Sequence, residues 1–190
     1  MDFQTAIQQV VAITKRGDKV PVIKWAINSA IAELIRMDKF SFDLYQHDYA
    51  IPSADASSAV HFVAYTEFPG GTPRHIESII TDNDLSPFVG ILPTNATRGG
   101  RNRVGIYYKR NDGLYVKMRQ KATTIRISYY KSAPTLVADT DTHWSLEQAF
   151  NEIVTMAAFH TFSMIGEDKD ASRYQQTALV AYDRVAKELV

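Results

Sequence analysis

The apolar residues of this 190-residue chain change period twice, helical at both ends and strand-like between, and few folds accommodate that order. Phe3, Ile7, Val10 and Val11 recur at helical spacing; after a break at Gly17 and Asp18, so do Val22, Ile23, Ala26, Ile27, Ala30, Ile31 and Leu34. Residues three and four apart share one face of an α-helix, so two helices are predicted, the second ending near Asp38. Asp2 suits the N-cap of the first, where a carboxylate accepts from a free amide. Pro21 suits the first turn of the second, where its missing N–H is not needed. The second stripe is wide enough to pack against more than one neighbour.

From about Ser41 to about Pro134 the apolar period falls to two, with Pro and Gly punctuation and many aromatic and β-branched residues. This predicts antiparallel strands over 44–51, 60–66, 74–80, 104–110, 114–120 and 124–131. Asp112-Gly113 predicts a tight hairpin, because both residues tolerate positive φ. Helical spacing then returns. Ser145 with Gln148 has the pattern of a capping box, and Leu146, Phe150, Ile153, Ala157, His160 and Met164 form one stripe. Gly166 stops that helix, Asp168 or Asp170 starts the last, and Ala171, Tyr174, Ala178, Ala181 and Val185 line it. The predicted fold class is therefore α+β: a helical bundle from residues 1–41 and 139–190, with an antiparallel β domain, 42–138, inserted between them.

Composition removes whole classes of chemistry. Without any cysteine the chain has no disulfide, zinc ribbon, iron–sulfur cluster or thiol nucleophile. Its start reads as a helix and not as a basic, then apolar, signal peptide. The most apolar stretch, 153–165, falls short of the about 20 residues that a bilayer requires, so no membrane span is expected. No cofactor, metal or catalytic set is expected either. The segment 98–105 is rich in Arg and Gly but lacks the lysine and hydroxyl of a phosphate-binding loop. Asp139, Asp141 and His143 alternate as hard-cation ligands could, yet acids before a helix also serve as caps. Asp82, Asn83 and Asp84 start like a calcium loop, but Pro87 and Pro93 occupy its required Gly and Glu positions. His160, on an apolar stripe, reads as a core or interface histidine with a hydrogen-bond partner.

Charge is the better lead. The chain is formally neutral, yet residues 98–131 hold ten basic side chains against one acid, Asp112. Alternation predicts that burying Leu114, Val116 and Met118 turns Tyr115, Lys117, Arg119 and Lys121 outward. Burying Val104, Ile106 and Tyr108 turns out Tyr107 and Lys109, and burying Ile125, Ile127 and Tyr129 turns out Arg126, Ser128 and Tyr130. Arg98, Arg101, Arg103, Lys109, Lys117, Arg119, Lys121 and Arg126 are then expected to make a basic, aromatic sheet face. The candidate acidic counter-surface is Glu147, Glu152, Glu167, Asp168, Asp170, Asp183 and Glu188.

Several short segments resemble a known family. Ile27-Asn28-Ser29-Ala30-Ile31-Ala32-Glu33-Leu34, followed by Phe40-Ser41-Phe42-Asp43-Leu44, is similar to the N-terminal helix and strand entry of the head-to-tail adaptor (connector or tail-tube) proteins of short-tailed bacteriophages. Tyr129-Tyr130-Lys131-Ser132-Ala133-Pro134-Thr135-Leu136, the long helix from Trp144, and the turn Gly166-Glu167-Asp168-Lys169-Asp170-Ala171 resemble the C-terminal half of the same family. The resemblance implies a non-enzymatic virion protein, assembled in the host cytoplasm. It implies a ring of twelve copies, with portal protein on one side, a tail or nozzle protein on the other, and duplex DNA passing without sequence specificity through the lumen.

Three readings of the basic face stay open at the level of residues. It can meet the acidic surface of the next copy, bind single-stranded nucleic acid through cations and stacked tyrosines, or be a solvated sheet face. Assembly is preferred because it also accounts for the acidic counterpart and the neutral total.

Overall fold

A computed structural model describes residues 1–53, 58–69, 71–93 and 104–189. The fold is α+β, and the chain divides into two compact units: Met1–Phe42 with Ala133–Val190, and Asp43–Ser132.

The first unit is helical. It holds α1 (Phe3–Thr14), α2 (Val20–Met37), α3 (Trp144–Gln148), α4 (Phe150–Ile165) and α5 (Asp168–Glu188). Asp2 caps α1 as expected, accepting from Thr5 N at 2.9 Å and from the Thr5 hydroxyl at 2.6 Å. Lys15, in the left-handed region at φ 57°, ends α1 two residues before Gly17. Pro21 lies in the first turn of α2. The Ser145–Gln148 capping box does not form. The N-cap is His143, whose ring accepts from Ser145 N at 3.3 Å, and the predicted single helix breaks at Ala149 into α3 and α4. Gly166 ends α4 at φ 78°, a conformation that costs glycine little.

The wide stripe of α2 is buried against α1, α4 and α5. Ile23, Ile27, Ile31 and Leu34 join Phe3, Val10, Ile153, Ala157, Ala178 and Tyr182 in one core. A large aliphatic side chain buried this way contributes about 1.5–3 kcal/mol. Tyr182 is fully buried, and its hydroxyl donates to Ala30 O at 2.8 Å, so its polar end is satisfied. Burial holds the Tyr182 phenol well above the usual range, with Glu33 and Glu152 adding to the shift.

The second unit is built from strands β1 (Leu44–Ala50), β2 (Val60–Ala64), β3 (Pro73–Thr81), β4 (Val89–Gly90), β5 (Ile106–Lys109), β6 (Gly113–Lys117) and β7 (Thr124–Lys131). They form two sheets, ordered β1-β7-β3 and β2-β6-β5-β4, antiparallel except for the short β4–β5 pair. Both sheets contribute to one apolar core: Ile76, Ile79, Ile125, Ile127 and Tyr129 from the first, Val63, Leu114 and Val116 from the second. The segment 65–67 is a 3-10 turn and not a continuation of β2.

Candidate functional site

The outward face of the second sheet combines aromatic and cationic side chains. In β6, Leu114 and Val116 point into the core, so Tyr115 and Lys117 face outward. Antiparallel pairing places Phe62 of β2 and Tyr108 of β5 directly opposite Tyr115, hence on the same face. The Tyr108 and Tyr115 rings lie parallel, 5.2 Å apart, and the Phe62 and Tyr115 rings are 4.9 Å apart. The Arg110 guanidinium sits 5.0 Å from the Tyr115 ring and 5.5 Å from Tyr108, close enough for cation–π attraction to both. Tyr115 donates to Asp112 at 3.0 Å, and this bond holds the phenol pKa up.

The hairpin between β5 and β6 forms at Asn111 and Asp112, but not for the expected reason. None of Asn111, Asp112 and Gly113 has positive φ. Gly113 matters sterically: a Cβ there would lie 2.5 Å from a Phe62 ring carbon and from Val63 O. The glycine lets the Phe62 ring lie across the strand end.

The structure corrects the expected phase of β5. Tyr107 pairs with Val116 and Lys109 with Leu114, so Tyr107 and Lys109 share the core face, while Ile106 and Tyr108 lie on the face of Lys117 and Tyr115, although Ile106 is buried as expected. The strand enters through Gly105, at φ 71°, and Val104 is exposed instead of buried. Lys109 extends its stem along the core and reaches Arg74 O at 3.5 Å; burial lowers its pKa.

The structure also corrects the single basic sheet face. β5 and β6 belong to the second sheet and β7 to the first, so Arg126 does not share a face with Tyr115 and Lys117. Arg126 is paired within the first sheet: its Nε and Nη2 donate to the two oxygens of Asp48 at 2.8 and 2.9 Å. Those hydrogen bonds hold the Asp48 carboxyl below the usual range. The pair lies in a depression of about 330 Å³ lined also by Ile80, Thr81, Asp82, Leu85 and Thr124. Tyr130, expected outward, is on that side but buried, with the Arg74 guanidinium 5.8 Å from its ring.

Arg119 is a clamp. It donates to Asp84 Oδ2 at 2.8 Å, to Ser86 O at 2.9 Å and to Pro87 O at 3.2 Å, and it lies 4.9 Å from the Phe88 ring. The Arg119 bond, with Ser86 N, lowers the Asp84 pKa. Asp82 accepts from the hydroxyl and amide of Thr123. The calcium-like stretch is therefore a turn tied to the strand end at Thr123 and to Arg119. Lys117 is half-buried and Lys121 exposed. Arg98, Arg101 and Arg103, with most of the Arg/Gly segment, lie outside the described residues.

The acidic candidates divide in the same way. Glu152 is buried and bonded to Arg184, which also approaches Glu188 at 4.0 Å. Glu167 pairs with Arg16 at 3.1 Å and Asp183 with Lys187 at 2.5 Å. Glu147, Asp168 and Asp170 are exposed. Asp139 meets Lys24 at 2.8 Å, and Asp141 accepts from Val137 N and Ala138 N, so these acids tie down the segment entering α3. His160 Nε2 lies 3.2 Å from Glu33, without hydrogen-bond alignment, and its ring packs edge-on against Trp25. Sequence reasoning counted Arg110 among the ten basic residues without placing it on the Tyr115 face, and it missed Phe62. The signal was present only in strand pairing, which brings both to Tyr115.

Among the described residues, no group of three or more His or acidic side chains is placed to hold a metal ion, and no helix is long and apolar enough to cross a membrane. What the fold offers is surface: an open aromatic and cationic sheet face on one unit, and exposed acids on the other. The chain belongs to the SU10 adaptor protein family, a phage adaptor family, whose family model matches residues 1–189. It is thus a structural component of a bacteriophage virion. No match was found among curated proteins.

Proposed function

We propose that this chain assembles into a ring of twelve copies that joins the portal to the tail of a short-tailed phage, with duplex DNA passing through the lumen. Membership of a phage adaptor family over essentially the whole chain carries this reading. The division of charge supports it. The β unit carries Arg110, Lys117 and Lys121 toward its surface, whereas the helical unit presents Glu147, Asp168 and Asp170. A contact between two different surfaces, repeated by rotation, closes into a ring, and opposite charges fix its register. Internal pairing of Arg119 and Arg126 also suits a DNA channel, because two cations engaged by carboxylates grip a passing duplex less.

A second reading rests on the parallel Tyr108 and Tyr115 rings beside Arg110, which would suit single-stranded nucleic acid. Electron microscopy of the purified protein, alone and with portal rings, separates the two. Rings that seat on portal in the absence of nucleic acid are expected. A monomer that ignores portal but retards an oligonucleotide, with affinity falling at least about tenfold from low to physiological salt, would favour the second reading.

A further inference from the structure

Within the ring assembly just proposed, on which this inference rests, we propose that the turn between α4 and α5 of one copy docks on the Phe62–Tyr115–Tyr108 face of the next. The receiving face is apolar at its centre. Phe62 and Val60 on β2 are 39% and 40% exposed, and the ring of Tyr115 lies between those of Phe62 and Tyr108. Arg110 and Lys117 flank it; Lys117 is directly opposite Val60 in the strand register. Isolated exposed apolar residues are ordinary. Two of them on β2, continued by the half-buried rings of Tyr115 on β6 and Tyr108 on β5 and edged by cations, make the pattern of an interface.

The α4–α5 turn has the complementary chemistry in a short length of chain. Met164 at the end of α4 is 54% exposed, and nothing lies within 4 Å of where a Cβ on Gly166 would stand, so the turn is open at these two residues. Asp168 and Asp170 follow in the first turn of α5, both exposed. A flexible thioether packs favourably on aromatic rings, and carboxylates are attracted to a guanidinium at the edge of the face. Of the remaining acids of the predicted counter-surface, Glu147 is exposed but stands on α3 and not on this turn, and the other four are engaged. Glu152, Glu167 and Asp183 are already paired inside their own unit, and Glu188 is 4.0 Å from Arg184. Because the knob and the face belong to different units of one chain, the contact is head-to-tail and leaves each copy able to make it twice.

The chain has no cysteine, so introduced thiols report on the contact alone. Under mild oxidation the double variant Val60→Cys/Met164→Cys should give a ladder of covalent multimers, whereas either single variant should stay monomeric on a denaturing gel. Arg110→Glu and Asp170→Arg should each raise the concentration needed for rings at least about tenfold, with thermal midpoints unchanged, and the two together should restore assembly. If wild-type rings form but the double variant gives no ladder, or Val60→Cys alone gives dimers, this contact is wrong and the ring reading stands. Failure of the charge swap to restore rings overturns the contact in the same way. If the wild type is monomeric both alone and with portal, the ring reading fails and this proposal fails with it.

Discussion

The two units keep their polar groups satisfied in different ways. The helical unit has the larger core, mostly aliphatic, with the buried Tyr182 hydroxyl bonded to Ala30 O inside it, and it too carries distant surface pairs, Arg16 with Glu167 and Lys24 with Asp139. In the β unit two small sheets share a thinner core, and arginines are tied down at its surface by carboxylates far away in sequence: Arg126 by Asp48, 78 residues apart, and Arg119 by Asp84, 35 apart. A unit whose cohesion depends partly on surface pairs has one face left over, and here that face is aromatic. The difference leaves the larger core to the helices and puts the aromatic half of the proposed contact on the strands.

Four measurements bear on that division. Leu34→Ala, in the closed helical core, should cost about 3 kcal/mol by chemical denaturation, the largest loss of the four. A loss under about 1 kcal/mol would mean that the helices do not dominate stability. Gly113→Ala forces a methyl group against Phe62 and Val63 O, and overpacking of this kind costs about 1–3 kcal/mol. It should also turn the Phe62 ring away, visible as a changed aromatic NMR shift for Tyr115. Arg119→Ala should cost about 1 kcal/mol, because the guanidinium is partly exposed and its ion pair is screened. Hydrogen exchange should quicken at 84–90 and not in the helices.

The smallest effect is with pH, and its sign differs between the carboxylates and the phenols. Asp48, Asp82 and Asp84 have pKa values lowered from 3.8 in the folded state, so their contribution is complete above about pH 4 and is lost as pH falls through the folded values. Asp2 and Asp18 of the helical unit shift the same way. Tyr182 is raised well above 10.0, so its contribution is complete below about pH 10 and is lost as pH rises further. Three lowered carboxylates in the β unit against two in the helical unit put the β unit first in acid; Tyr65, Tyr115 and Tyr129 of the β unit are raised as well, but Tyr182 is raised most, which puts the helical unit first in alkali. Tryptophan fluorescence, both tryptophans being in the helical unit, read against exchange at β-strand amides, gives the order. The opposite order would remove the distinction.

Much of the helical unit was legible because its determinants are local. The stripe of α2, the Asp2 cap, Pro21 and Gly166 all act within a turn or two of where they stand. The break at Ala149 was not, since no proline or glycine marks it. In the β unit, strand positions followed from alternation, but partners did not. Nothing local says that β7 joins β1 and β3 while β6 joins β2 and β5. The phase of β5 was misread because Ile106-Tyr107-Tyr108-Lys109 alternates weakly, and the stack of Tyr108 on Tyr115 is a long-range preference. The basic residues were found as a composition, while their pairing with Asp48 and Asp84 could come only from the fold.

If identical copies join through the aromatic face of the β unit, they need no nucleic acid to do so. Sedimentation of nuclease-treated protein over a range of concentrations, followed by the same run with Phe62→Ser, puts this to the test. A ring-sized species that the substitution converts to monomer is the predicted result. A wild-type monomer at every concentration, or rings indifferent to Phe62→Ser, would contradict it.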